Sequence, residues 1–401
     1  MNVEEESSEM LLSEGLLKRG RSRWLNKRYV FFVILCTCLL GILWLSSSGN
    51  ESSSSPFTPH LNILPTPPNV IDFESTQRDN FIFHFNGSDV MIFLHIQKTG
   101  GTTFGKHLVQ DINLESPCSC FKNNYSSRKR PKKRRKKKLK CNCFRPGGSN
   151  KTWLFSRYST GWKCGLHADW TELTACVDPY LSKTEGPGTR RYFYITFLRE
   201  PVSRYLSEFR HVQRGATWKD SKHTCNGRRA TSIEIPPCYK PPEENWEDVS
   251  LRDFMDCSSN LAVNRMTRML ADLTLVNCYD KLSMSFRERD TILFESAKRN
   301  LEIMTFFGLT EEQIASQYLF QKIFNLNFKV NFTQYQRVQG DSTLEELSPE
   351  VLSRIEQLNH LDIKLYAYAK ELMMKRYRAF KKQNEEDNYS ESDKDPEDGD
   401  Y

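Results

Sequence analysis

Apolar residues are scarce in this chain, at 38% of 401 residues. A globular core needs more, so polar segments must dilute the average. No internal repeat is visible, which excludes a stacked array and leaves one large domain or two modest ones. No carboxylate pair or histidine cluster has the spacing of metal ligands, so no metal is expected. The chain's K-T-G-G turn (98–101) places its lysine before the glycine pair, not after a G-x-x-x-x-G run. That order argues against a Walker-type kinase or ATPase.

One stretch without charge is long enough to cross a bilayer. Tyr29–Leu45 holds 17 uncharged residues, which at about 1.5 Å each just cover a hydrocarbon layer of about 30 Å. Lys18, Arg19, Arg21, Arg23, Lys27 and Arg28 precede it, and Ser46–Ser55 follows without a basic residue. This asymmetry predicts a cytoplasmic tail (1–28), a single transmembrane signal anchor (29–45) and everything else outside the cytoplasm. Six N-x-[ST] sequons, at Asn50, Asn86, Asn124, Asn150, Asn331 and Asn388, suit that side of the membrane. So do ten of the twelve cysteines, an even number in an oxidising compartment. Residues 46–80, rich in Ser and Pro, read as a stem, 81–380 as the folded domain and 381–401 as an acidic disordered tail.

Within the domain, Val90–Ile96 and Tyr192–Leu198 are short apolar runs that read as buried strands. Each leads through a loop into a helical pattern, which predicts an α/β fold with a central parallel β-sheet flanked by helices. Ser348–Phe380 opens with Ser-Pro, an N-cap and first-turn pair, and carries apolar residues every three or four positions. It reads as one long packing helix.

The loop His95–Phe104 (HIQKTGGTTF) joins the first strand to its helix. A glycine turn at a helix N-terminus exposes N–H groups to an anion, and Lys98 adds a full charge. Thr99, Thr102 and Thr103 offer hydroxyl donors. At the end of the second strand stands Arg199, with Ser207 eight residues on in the next helix. An arginine and a serine so placed can hold one phosphate. Together the two loops suit a nucleotide with two separated phosphate groups.

These segments, with GWKCGLHADWTEL (Gly161–Leu173) and LREPVSRYLSEFRHVQRGATW (Leu198–Trp218), resemble heparan-sulfate 6-O-sulfotransferases. The resemblance implies the sulfotransferase fold with a P-loop-like site for PAPS (3′-phosphoadenylyl sulfate). By that resemblance His95, Ile96, Gln97, Lys98, Thr99, Gly100, Gly101, Thr102 and Thr103 hold the 5′-phosphosulfate. Arg199 and Ser207 hold the 3′-phosphate, and Thr333, Tyr335 and Arg337 close over the nucleotide. His167 is then the general base, with Lys98 stabilising charge. Leu139, Lys140, Arg157, Trp162, His211, Thr217 and Trp218 are placed at the glycan. Asp169, two residues beyond the base, either orients the imidazole or faces solvent. The resemblance also implies residence in the Golgi membrane and heparan sulfate as the partner.

Arg128–Lys140 contains 11 basic residues in 13. Without those eleven charges the formal +7 becomes −4, so this insert alone makes the protein basic. In a lumenal loop its polyanion is a glycan rather than a nucleic acid. Two C-x-C pairs flank it, Cys118/Cys120 and Cys141/Cys143. Two such pairs can hold zinc, but an oxidising lumen favours disulfides. Neighbouring C-x-C cysteines bridge each other poorly, so pairing across the base of the insert is expected. Deleting Arg128–Lys138 should raise the acceptor KM and flatten its dependence on salt while leaving PAPS binding alone. An unchanged salt slope would count against this role.

Overall fold

The structure, a computed structural model, describes residues 67–78, 81–123, 138–239, 243, 245–333 and 347–392. The stretch read as an anchor, most of the basic insert, Tyr335 and Arg337 lie outside them. Among the described residues no helix is long and apolar enough to cross a membrane.

Four parallel strands form the centre: β1 (Asp89–Leu94), β4 (Leu154–Phe155), β5 (Arg191–Leu198) and β8 (Phe306–Leu309), in the order β4-β1-β5-β8. The β1–β5 register runs from Asp89 opposite Arg191 to Leu94 opposite Thr196. Every residue of β1 is buried, as expected where helices cover both faces of a parallel sheet. The sequence pattern revealed β1 and β5. It missed β4, which is two residues long, and β8, whose FFGL is too short to stand out.

Helix α1 (Gly101–Gln110) follows β1, and α2 (Trp170–Glu185) lies between β4 and β5. After β5 come α3 (Pro201–Gln213) and a small hairpin of β6 (Thr224–Cys225) and β7 (Arg228–Arg229). Next are α4 (Leu251–Asp256), α5 (Arg265–Leu270) and α6 (Phe286–Ile303). Beyond β8 lie α7 (Gln313–Phe324), α8 (Pro349–Leu358) and α9 (His360–Ser392). The expected single helix after Ser348 is therefore two. Asn359 ends the first by folding its amide back on the Ile355 carbonyl, 2.9 Å away. Asn264 then accepts from the N–H groups of Leu361 and Asp362 and starts the second. α9 continues to Ser392, past the boundary drawn at residue 380. At the other end, order begins before residue 81: the Ile71 N–H donates to the Tyr192 carbonyl at 2.9 Å, which ties residues 70–71 to β5.

The antiparallel pair β2 (Ser119–Asn123) and β3 (Lys138–Asn142) carries the basic insert. Its base is closed by Cys118–Cys143 and Cys120–Cys141, the cross-pairing expected from the spacing. Three further disulfides link Cys164–Cys176, Cys225–Cys278 and Cys238–Cys257.

One charged knot ties α3, α5 and α9 together. Fully buried Glu208 accepts from Arg204 at 2.6 Å and lies 2.7 Å from Arg265, and its Oε1 also takes the indole N–H of Trp218 at 3.1 Å. Arg204 lies 3.8 Å from Asp362, whose carboxylate accepts from the N–H groups of Met266 and Thr267. Burial opposes ionisation of Glu208, but the guanidiniums of Arg265 and Arg204 outweigh it and hold the carboxyl below its usual range. Removing the carboxylate takes from Arg265 its partner at 2.7 Å and leaves Arg204 only the more distant Asp362, so Glu208→Ala should cost about 3–5 kcal/mol. A shift of the urea midpoint measures it, and a variant as stable as the parent would contradict this account.

Candidate functional site

The loops after β1 and β5 leave the carboxyl ends of adjacent strands, where open α/β sheets place their ligands. Gly100 takes a left-handed φ of 74° to turn the chain into α1, and no side chain caps that helix. Its carbonyl accepts from Thr103 and Phe104, leaving the N–H groups of Gly101 and Thr102 without an intrahelical acceptor. A side chain at Gly101 would overlap the His95 ring, so the backbone there must be bare. The result is a cradle of donors with positive helix potential, which fits a phosphate-sized anion.

Lys98 stands in this loop with φ 66°, a conformation uncommon for a residue with a side chain. The loop is pinned from both sides. Arg199 donates to the Lys98 carbonyl at 3.2 Å, and Thr310, just past β8, donates to the Thr99 carbonyl at 2.9 Å. Burial lowers the Lys98 ammonium pKa; Glu208 opposes that shift, while Arg214 and Arg199 add to it. An anion bound here relieves part of that cost. The other loop residues divide by role. Ile96 is wholly buried, and the Thr99 hydroxyl bonds the Ile96 carbonyl at 3.1 Å, so both shape the loop from inside. Gln97 is also buried. Thr102 and Thr103 are exposed at the start of α1.

Ser207 and His211 lie one turn apart on α3. His211 is held below its usual range first by desolvation and then by the charge of Lys98, which places this edge of α3 beside the loop. Thr333 is exposed at the end of a segment anchored against α7, where the Phe332 N–H donates to Gln317 at 2.7 Å.

On the other side of the loop, aromatic rings form a column. His95 stacks on Phe93 at 5.4 Å and on Trp162 at 5.7 Å, and His167 tilts against His95 at 4.9 Å and Trp162 at 4.6 Å. Arg157 lies 5.5 Å over Trp162 and donates to the Thr102 hydroxyl at 3.1 Å, joining the column to α1. The β2–β3 hairpin reaches the same place, because the Cys141 N–H donates to the Tyr158 carbonyl at 2.8 Å. Leu139 and Lys140 precede that contact on β3. Trp218 is half-buried with its N–H held by Glu208, and Thr217 beside it is half-buried too.

His167 has φ 52° and sits 2.9 Å, through Nδ1, from the His95 carbonyl. A carbonyl only accepts, so Nδ1 carries the proton and Nε2 keeps its lone pair. Burial lowers the imidazole to about 4, against the partial compensation of that hydrogen bond. Asp169 does neither thing expected of it. It is buried as the N-cap of α2, in a reciprocal capping box with Glu172, so the orienting group of His167 is a backbone carbonyl. Residue spacing reveals none of Glu208, Arg265, Thr310 or Tyr279. Glu208 stands beside Ser207 on α3, and the other three come from distant elements.

Residues 82–369 match the model of a family described as the sulfotransferase family. The chain is 54% identical over 299 residues to heparan-sulfate 6-O-sulfotransferase 3 of Homo sapiens, covering 74% of this chain and 59% of that protein. It is 52% identical over 310 residues to heparan-sulfate 6-O-sulfotransferase 3-B of Danio rerio, covering 76% and 70%. With heparan-sulfate 6-O-sulfotransferase 2 of Gallus gallus the identity is 53% over 299 residues, covering 74% and 70%. The chain thus spans 59% and 60% of the human and mouse 3 proteins, and about 70% of the fish and chicken ones.

Burial penalises only the charged form of His167, so the ring should remain neutral as pH falls until about 4. Histidine-selective NMR titration of the folded domain checks this; a midpoint near the ordinary ~6.5 would overturn it.

Proposed function

Because this chain belongs to the heparan-sulfate 6-O-sulfotransferase family, we propose that it transfers a sulfuryl group from PAPS to the 6-hydroxyl of glucosamine in heparan sulfate. The observation that carries the mechanism is the hydrogen bond from His167 to the His95 carbonyl, because it puts the proton on Nδ1 and leaves Nε2 as the basic atom of that ring, beside the aromatic column. PAPS, when bound, supplies the activated sulfuryl group.

The chain's own residues do the rest by position and charge. The cradle of Lys98 to Thr103 holds the phosphosulfate, and Arg199 with Ser207 takes the 3′-phosphate. Lys98 and the N–H groups of Gly101 and Thr102 offset charge on the departing phosphate. His167 Nε2 receives the proton of the acceptor hydroxyl, which is a poor nucleophile until that proton moves. Its depressed basicity keeps it unprotonated in the slightly acidic Golgi, at the cost of driving force for the transfer. Arg157 matches a sulfate or carboxylate in a fork, and Trp162 offers a ring face to a sugar. Lys140 continues this cationic edge toward the insert.

The same reading places the enzyme as a single-pass type II protein of the Golgi membrane, with residues 29–45 as the anchor and the catalytic domain in the lumen. Support comes from the charge asymmetry around that stretch and from five disulfides, which suit an oxidising compartment.

His167→Ala should abolish transfer, with retention on PAP-agarose unchanged. Turnover surviving in that variant would exclude His167 as the base. Disaccharide analysis of the product made by the parent enzyme should show sulfate at glucosamine O6; sulfate on uronate O2 would point to a different acceptor.

A further inference from the structure

His167 is the second-last residue before the N-cap of α2, so whatever fixes that cap fixes the base. The cap is unusually well held. Asp169 Oδ1 accepts from the Glu172 N–H at 2.9 Å, and the Asp169 N–H donates to Glu172 Oε2 at 3.3 Å. Each carboxylate keeps one further oxygen, and each of those is taken by a residue from elsewhere in the chain. Tyr279 donates its hydroxyl to Asp169 Oδ2 at 3.2 Å. The Thr224 N–H donates to Glu172 Oε1 at 2.9 Å. Their neighbours in sequence, Cys278 and Cys225, are joined by a disulfide.

The turn is held along its length by the same two segments. Ser221 donates to the Leu166 carbonyl and Lys222 to the Lys163 carbonyl, both at 3.2 Å. The Leu273 N–H donates to the Thr171 hydroxyl at 2.8 Å. Behind Tyr279, its hydroxyl lies 3.3 Å from His223 Nδ1. Since the Tyr279 proton goes to the carboxylate, His223 Nδ1–H is the donor in that contact. The relay runs one way, from His223 through Tyr279 to Asp169.

We propose that Tyr279 is a positioning residue for the base: through Asp169 it fixes the turn that carries His167, and the Cys225–Cys278 disulfide keeps it in register with Thr224 on the other half of the capping box. The proposal rests on His167 being the base. A residue with φ 52° and a side chain needs such external support, since the turn does not favour that conformation by itself. A small displacement of a reacting group also lowers turnover far more than it lowers binding.

The clamp has a pH signature of its own. Burial raises Asp169 to about 6 and Glu172 to about 7. The groups facing Asp169 are Glu172 on its own helix, Arg268 on α5, and Asp272 and Tyr279 on the connecting segment, with His223 behind Tyr279. Protonation of Asp169 at Oδ2 replaces the acceptor that Tyr279 needs, so the clamp weakens as pH falls through this range. Removing the Tyr279 donor disfavours the carboxylate further and moves its titration upward. His167, held near 4, titrates below this window.

The test is Tyr279→Phe in the full-length enzyme, with kcat, KM for PAPS, retention on PAP-agarose and the pH profile of kcat all measured. We expect kcat to fall about tenfold or more, with KM for PAPS and retention near parent values. The acid limb should shift to higher pH. An unchanged kcat and acid limb would overturn the proposal. Asp169→Asn keeps a good N-cap acceptor but takes away the carboxylate that Tyr279 holds, so kcat should fall while KM for PAPS stays near the parent value, and the acid limb should move to lower pH as Glu172 loses its charged neighbour. A kcat and an acid limb equal to the parent's would overturn the proposal even if Tyr279→Phe failed to fold. If His167→Ala is inactive while Tyr279→Phe behaves as the parent, positioning fails alone; if His167→Ala turns over, the assignment of the base fails first.

Discussion

A single buried negative charge underlies the geometry of this protein. Glu208 is fully enclosed, and it is stable there only because Arg204 and Arg265 flank it and Trp218 adds a hydrogen bond. Those partners come from α3, α5 and the loop after α3, and Asp362 extends the knot to α9. Its field reaches the working groups. Glu208 favours the charged forms of Lys98, His167 and His211, against the desolvation that opposes them. The same contact thus packs three helices and tempers the basic groups of the cleft.

Two residues assigned to chemistry have left-handed backbone. Lys98 and His167 have φ 66° and 52°. Such conformations cost free energy and persist only where surrounding contacts over-determine them. The contacts are on view in both cases: Arg199 and Thr310 hold the Lys98 loop, and the capping box with its distant partners holds the His167 turn. A rigid loop and a rigid turn meet at His95, whose ring joins the aromatic column and whose carbonyl sets the tautomer of His167. The loop and the proposed base therefore share one residue as their point of contact.

The acceptor side is built differently. The β2–β3 hairpin is closed across its own base by two disulfides and meets Tyr158, next to Arg157, through a backbone hydrogen bond from Cys141. Covalent closure sets the root of the basic insert without demanding a core of its own. Long-range attraction of a polyanion needs charge near the cleft more than it needs fixed geometry. In the mechanism proposed above, this separates capture of the glycan chain from orientation of the sugar, which falls to Arg157 and Trp162.

Local sequence determined much here by itself. Two apolar runs of strand length, each followed by a polar turn and a helical pattern, specified β1, β5 and the α/β class, because strands buried on both faces leave an unbroken apolar signature. The spacing of Cys118, Cys120, Cys141 and Cys143 implied cross-pairing, because bridge geometry disfavours a C-x-C loop. Resemblance in short motifs picked out Lys98, Arg199 and His167. Tertiary structure decided the rest. β4 and β8 have two and four residues and acquire strand character only by pairing. Asn359 splits a periodic helix because Asn264, 95 residues away, is placed to answer it. Asp169 resembles a partner of the base in sequence and is a helix cap in the fold. The proton on His167 is set by a carbonyl 72 residues distant. Periodicity and spacing report which faces are apolar and which turns are tight; only the folded chain brings an acceptor from one strand end to a donor on another loop.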